Sequence, residues 1–260
     1  MNLVITPGSE RPHLLDDSRR FASGFPDFLQ GDPYRDFLRK PDGSRDFAEY
    51  ALTATLPDDD EHPVALAAML PFRMRRREDG TCAPLPDDGW DGVVRWNTYD
   101  RLYGYTPDTL AALAVAIHPE LRGHNLAATM VSAMRDRARE LGFTSLVVPL
   151  RPPLKAQEPR IPMASYIART RPDGLPADPW MRVHARLGGQ TVGIAPAAMV
   201  VTARLDRWRE WTELPFDTAG PVEVPGALSL VQVNPDEDYA VYVEPNVWIR
   251  HVLSTSEGNS

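Results

Sequence analysis

Residues 110–150 constrain the fold of this chain more than any other stretch. They read as an apolar strand, a basic turn, an amphipathic helix and a second apolar strand. The turn runs His118-Pro119-Glu120-Leu121-Arg122-Gly123-His124-Asn125-Leu126-Ala127. A helix opening straight out of such a turn aims unpaired backbone N–H groups, and the positive end of its dipole, at whatever precedes it. The turn is therefore an anion site, and phosphate is the usual occupant. Leu126, Met130, Val131, Met134, Ala138 and Leu141 share one face of the predicted helix. Gly142 stands at its C-terminal stop, with Arg135, Arg137 and Arg139 complementing that end of the dipole.

The strand before the turn alternates Leu113, Val115 and Ile117 with Ala112, Ala114 and Ala116. Bulk on one face and methyls on the other leave space for a close neighbour, either a tightly packed helix or an extended ligand arm. The strand after the helix, Leu146-Val147-Val148-Pro149-Leu150, contains a proline that removes a ladder donor, so it fits poorly inside a fully paired sheet.

Around this unit the 260 residues suffice for a sizeable core. A formal charge of -8 argues against sequence-independent nucleic-acid binding, which needs clustered Lys and Arg. Cys82 is the only cysteine, which excludes internal disulfides and thiolate metal clusters and points to a reducing cytoplasm. No signal peptide or membrane-length apolar run is present. No His-x-Glu, His-x-x-x-His or Gly-x-Ser-x-Gly spacing supports a metal or serine hydrolase, and no metal is expected.

In chain order, Leu3-Val4-Ile5 reads as a short first strand, and residues 11–29 are expected to be helical. Residues 47–56 and 64–72 form a strand pair around the acidic turn Asp58-Asp59-Asp60-Glu61-His62. Residues 75–106 are irregular but aromatic, with Trp90, Trp96, Tyr99, Tyr103 and Tyr105, and read as a lid or acceptor-pocket wall or as plain packing. A second insertion, 151–178, is rich in Pro, Arg and Asp. Asp178-Pro179 then caps a helix through Leu187 that ends at Gly188-Gly189. Strand patterns follow at 199–205, 228–233, 239–244 and 246–253.

The spacing of Ile117-His118-Pro119 followed by Arg122-Gly123-His124-Asn125-Leu126-Ala127 resembles motif A of the GNAT superfamily, the Gcn5-related N-acyltransferases. Asn125 departs from it, standing where the family has its central glycine. The helix ending His184-Ala185-Arg186-Leu187-Gly188-Gly189 resembles motif B, with His184 at the position of the family's tyrosine. The resemblance implies a mixed α/β fold with a mostly antiparallel sheet splayed between its fourth and fifth strands, flanking helices and a β-rich C-terminal extension. Pro149 fits the strand half that has lost a partner. The implied division is an N-terminal cap (1–46), a core (47–205, with insertions at 75–108 and 151–178) and an extension (206–260).

The implied function is transfer of an acyl group from a pantetheine thioester, most simply acetyl-CoA, to a small-molecule amine by direct attack. A phosphopantetheinyl carrier protein as donor and a non-catalytic coenzyme A-binding module are the alternatives. Asn125 keeps the carrier open, because a Cβ at that position weakens the anion site. By resemblance, Ala116 and Ile117 would serve the thioester and pantetheine arm. Arg122, Gly123, His124, Asn125, Leu126 and Ala127 would hold the pyrophosphate. His184, with an unperturbed pKa of about 6.5, would protonate the leaving thiolate, with Tyr166 in reserve. The family's frequent glutamate base is missing from 112–117, which leaves Glu158, Asp100 or Asp173, or an amine that arrives deprotonated. Trp96, Tyr99, Arg169, Trp180 and Arg182 are the candidate acceptor contacts, and the Arg-rich insertion leans toward a polar, anionic acceptor. No membrane or nucleic-acid partner is expected, and oligomeric state is left open.

Overall fold

The computed structural model describes residues 2–16, 25–38, 47–121 and 125–253. The described strands are β1 (Val4–Pro7), β2 (Leu52–Thr55), β3 (Ala65–Phe72), β4 (Thr109–Ile117), β5 (Ser145–Leu150), β6 (Gln190–Arg204), β7 (Gly220–Val222), β8 (Val231–Asn234) and β9 (Tyr239–Val252). The helices are α1 (Pro12–Asp16), α2 (Gly89–Leu102), α3 (Leu126–Glu140), α4 (Met163–Ile167), α5 (Pro179–Arg186) and α6 (Leu205–Thr212). The strands make one sheet ordered β1-β2-β3-β4-β5-β9-β8-β7, with β6 on the other edge of β9. Every pairing is antiparallel except β4 with β5.

That parallel pairing is short. It holds at Leu110–Leu146 and Ala111–Val147 and then stops. Beyond it β4 stays paired with β3 as far as Ile117, and β5 stays paired with β9 as far as Leu150. The sheet thus parts down its middle, leaving the β5-facing edge of 112–117, roughly 20 Å of strand, without a strand partner among the described residues. Pro149 is registered with Trp248 of β9 and lies past the last β4 pair, so its missing N–H breaks no ladder with β4.

Two hydrophobic layers cover the sheet. One carries Phe72, Trp90, Val93, Val147, Trp208, Tyr242 and Trp248 and holds α2 and α6. The other carries Met69, Leu110, Met130, Met134, Leu146, Val148 and Val247 and holds α3 and α5. Local signals set the ends of these helices. Asp178 caps α5, its Oδ1 accepting the Trp180 and Met181 amides at 2.9 and 3.1 Å. After α3, Gly142 takes φ 82°, and the Phe143 amide reaches back to the Ala138 carbonyl at 2.9 Å.

Three features differ from the sequence expectation. First, the ladder between β3 and β4 shifts between Ala68 and Met69, leaving Leu113 as an extra residue opposite them. This bulge flips the strand's faces. Leu113 packs with Ala111 and Ala116 in the first layer, whereas Val115 and Ile117 join Ala112 in the second. The expected division into a bulky and a small face therefore does not persist along β4. Second, the irregular aromatic segment contains a 14-residue helix, α2. It is buried on much of its circumference, so it shows no clean amphipathic stripe. Third, the C-terminal segment does not lie outside the core. β9 sits between β5 and β6, running unbroken through Pro245, and completes the sheet beside the parting.

Candidate functional site

The parting of β4 and β5 opens at the end where α3 begins. Before α3 the chain makes a tight turn over Pro119–Leu121, with the His118 amide tied to the Val64 carbonyl at 2.9 Å. Arg122, Gly123 and His124 lie outside the described residues. Asn125 follows, at φ 61° and ψ 15°, in the left-handed region. A glycine enters that region freely, and asparagine is the side chain that tolerates it best. Asn125 therefore holds a backbone turn that a glycine would adopt without steric cost. Its side chain bonds none of the helix amides. The first-turn N–H groups of α3 have no partner within the helix and point along its axis, and the small Ala127 and Ala128 follow Leu126 in that turn. Leu126 turns its side chain into the core, and Ala116 and Ile117 are half-buried on the unpaired stretch of β4.

His184 and Tyr166 occupy different settings. His184 is 2% exposed, and its Nδ1 lies 2.9 Å from Nε2 of His251. His251 is registered with Leu146, at the rung where β4 and β5 are still joined. Burial, and then the neighbouring His251, push the His184 pKa down to about 3. His251 is held at about 4 by burial and by Arg135. An imidazole that is uncharged at neutral pH has no imidazolium proton to give, so this pair has the character of a packed core contact. Tyr166 is also buried, and its hydroxyl donates to Asp178 Oδ2 at 2.9 Å. Burial and that carboxylate raise its pKa, so it keeps its proton.

The remaining candidates are not gathered in one place. Trp96 packs against the first layer, 5.6 Å from Phe72, with the Arg75 guanidinium 4.9 Å above its ring. Tyr99 is exposed on α2 and stacks on Tyr103. Trp180 packs on the opposite face, against the second layer. Arg169 grips Glu158 through two bonds, at 2.6 and 3.0 Å, which holds the Glu158 carboxyl below its usual range and makes it a weak base. Arg182 bonds the carbonyls of Pro176 and Ala177. Arg160 pairs with Glu223, and Arg171 with Asp173. With Arg160, Arg169 and Arg171 paired to carboxylates and Arg182 turned to backbone carbonyls, the lean toward an anionic acceptor loses its basis.

Sequence reasoning missed a polar group on the first-layer side of the parting. Arg151, the residue after β5, donates to Glu244 Oε2 at 2.9 Å and to the Gly226 carbonyl. Glu244 is completely buried, and it also accepts from the Tyr242 hydroxyl at 2.8 Å and from Asn246 at 3.2 Å. Along that edge of β9, β5 pairs only from Val247 onward and β8 only up to Val241, so Glu244 stands in the gap between them. Two more buried carboxyls, Asp32 and Asp91, lie on the same side. Asp91 sits inside the unassigned aromatic stretch, and no local pattern marks Asp32.

The solved structure of the loading GNATL domain of CurA from Lyngbya majuscula superposes with a TM-score of 0.54 at 16% identity, covering 97% of each chain. The arginine N-acetyltransferase avaD of Aspergillus versicolor is 37% identical over 189 residues, 65% of this chain and 65% of that enzyme. The fold is that of a GNAT-type domain. The GphF GNAT-like decarboxylase in complex with isobutyryl-CoA also matches, with a TM-score of 0.46 and 13% identity over 98% of this chain and 100% of that one. No protein-family model matches the sequence. Among the described residues, no helix is long and apolar enough to cross a membrane.

Proposed function

We propose that this GNAT protein is an N-acyltransferase that moves an acetyl group from acetyl-CoA to the amine of a small molecule of the arginine class. The observation that carries this reading is the loss of β4–β5 pairing after Ala111–Val147, which exposes a strand edge leading to the first turn of α3. A thioester arm laid along that edge would find backbone donors at about Ala116 and Ile117 for its carbonyl oxygen. Its pyrophosphate would meet the amides of Asn125, Leu126 and Ala127, together with Arg122, Gly123 and His124. The acceptor approaches from the first-layer side. Its nitrogen lone pair forms the new C–N bond, the C–S bond breaks, and the sulfur leaves as a thiolate that takes up a proton. With the Tyr166 hydroxyl tied to Asp178 and His184 to His251, that proton comes from solvent.

The likeness to the arginine N-acetyltransferase supports the choice of acceptor. The experiment is a thiol-release assay with acetyl-CoA and with an acetyl-phosphopantetheinyl carrier protein, each offered arginine, agmatine and a neutral primary amine. Release with acetyl-CoA and an amine, with the acetylated amine seen by mass spectrometry, is the expected result. Release only from the carrier protein would reassign the donor. No release together with no acetyl-CoA binding by calorimetry would overturn the reading.

A further inference from the structure

Behind the open end of the parting lie three carboxyls with very different partners. Glu244 is fully answered by Arg151, Tyr242 and Asn246. Asp32 and Asp91, each 3% exposed, are only half answered. Asp32 Oδ1 accepts the Tyr34 amide at 2.8 Å, and Asp91 Oδ2 accepts the Val200 amide at 3.2 Å. Among the described residues, no donor other than a carboxyl proton reaches Asp32 Oδ2 or Asp91 Oδ1. Buried polar atoms of this kind normally find a partner, and an unanswered carboxylate oxygen is among the costliest exceptions.

The two carboxyls are hydrogen-bonding neighbours, so a single proton held between them is the resting solution. Burial, followed by the charge of Asp32, pushes Asp91 up to about 9. Asp88 adds to that push, Glu244 raises Asp32, and Arg35 works the other way on Asp32. Two carboxyls without further ligands fall short of the six to eight oxygens that Ca²⁺ takes, and the described residues hold no group of three His, Cys, Asp or Glu suited to a metal. A planar cation that donates two hydrogen bonds at once would answer both carboxyls when their shared proton leaves. The position also suits an acceptor. Asp91 projects from α2, which packs on β3, β6 and β9, and Asp32 senses Glu244, which Arg151 ties to the end of β5.

We propose that Asp32 and Asp91 form the subsite for the cationic end of the acceptor, a guanidinium or second ammonium, while the amine to be acylated points toward the parting. The proposal rests on the acyltransferase reading and names which residues select its substrate. The entering cation takes the place of the shared proton, which leaves to solvent.

Arginine and citrulline test it, because citrulline replaces the guanidinium with an uncharged ureido group of the same shape. The wild type is expected to favour arginine over citrulline in kcat/KM by at least ~100-fold, the worth of two charge-assisted bonds to buried carboxyls. Asp91→Asn copies the protonated form and should fold normally, as checked by its melting curve. It is expected to lower the arginine-to-citrulline ratio by ~10-fold or more, through the KM for arginine. Asp32→Asn should act in the same direction. Calorimetry of arginine binding to the wild type at pH 7, in buffers of different ionisation enthalpy, should show release of a proton. Equal use of arginine and citrulline, an unchanged ratio in both variants, or binding without proton release would overturn the subsite. If no amine is acylated, the transfer reading fails, and the calorimetric arm still decides whether this pair binds a cation.

Discussion

Asn125 offers the sharpest test of the turn proposed to hold the donor's phosphates. Its φ of 61° and ψ of 15° lie in the left-handed region, and its side chain makes no capping bond to α3. Replacing that side chain therefore removes no hydrogen bond from the helix and changes only the cost of the backbone conformation. For ordinary L-residues that cost is about 1–2 kcal/mol, greatest for β-branched side chains, and glycine does not bear it. Against this, glycine loses roughly 0.4–1 kcal/mol through the greater freedom of the unfolded chain. Asn125→Gly should thus unfold in urea within ~0.5 kcal/mol of the wild type, and bind acetyl-CoA as tightly or more tightly, since no Cβ stands near the phosphates. Asn125→Val should lose about 2 kcal/mol. It should also weaken acetyl-CoA binding ~10-fold by calorimetry if the first turn of α3 re-forms to relieve the strain, because the phosphate then loses about one charge-assisted bond. A valine variant as stable as the wild type, or a glycine variant that loses its donor affinity, would refute the reasoning.

Other consequences follow from the buried groups. Replacing His184 with Gln or Tyr166 with Phe should leave thiol release nearly intact, since both groups are held by buried partners; a ~100-fold fall in kcat, the usual worth of a general acid, would return that residue to the mechanism. Both histidines have folded pKa values depressed below the unfolded value of about 6.5, to about 3 and about 4. Stability should therefore be fully present above pH 6.5 and fall as pH drops toward 4 and then 3, because the unfolded chain takes up protons that the folded one refuses. A His184→Leu/His251→Leu variant should show a flatter urea midpoint over that range. Glu244→Ala strands the Arg151 guanidinium and should cost about 3–5 kcal/mol in urea unfolding; a loss below ~1 kcal/mol would mean that water already reaches the pair. Gly89→Ala would place a Cβ 2.5 Å from that of Ala198 at a φ of 39°. It should cost about 1–3 kcal/mol and weaken arginine binding by shifting the start of α2 and with it Asp91.

What the sequence determined alone was local and periodic. The apolar face of α3 with its Gly142 stop, the Asp178-Pro179 start of α5 and the interrupted strand at Pro149 depend on neighbours within a few residues, and all three stand in the fold. The turn residues, together with the strands and helix around them, were enough to reveal the GNAT pattern. Tertiary structure decided the rest, because the partners lie far apart along the chain. Whether β4 keeps one face depended on a bulge at Leu113 that exists only in register with β3. His184 has the residue type of a proton donor, and His251, arriving on β9, makes it part of the core. Asp32, Asp91 and Glu244 carry no shared motif, and they meet only because the turn ending at Asp32, α2 and β9 pack on the same side of the parted sheet. Periodicity records which face a residue turns inward, but burial and charge at a site depend on what the rest of the chain brings to that face.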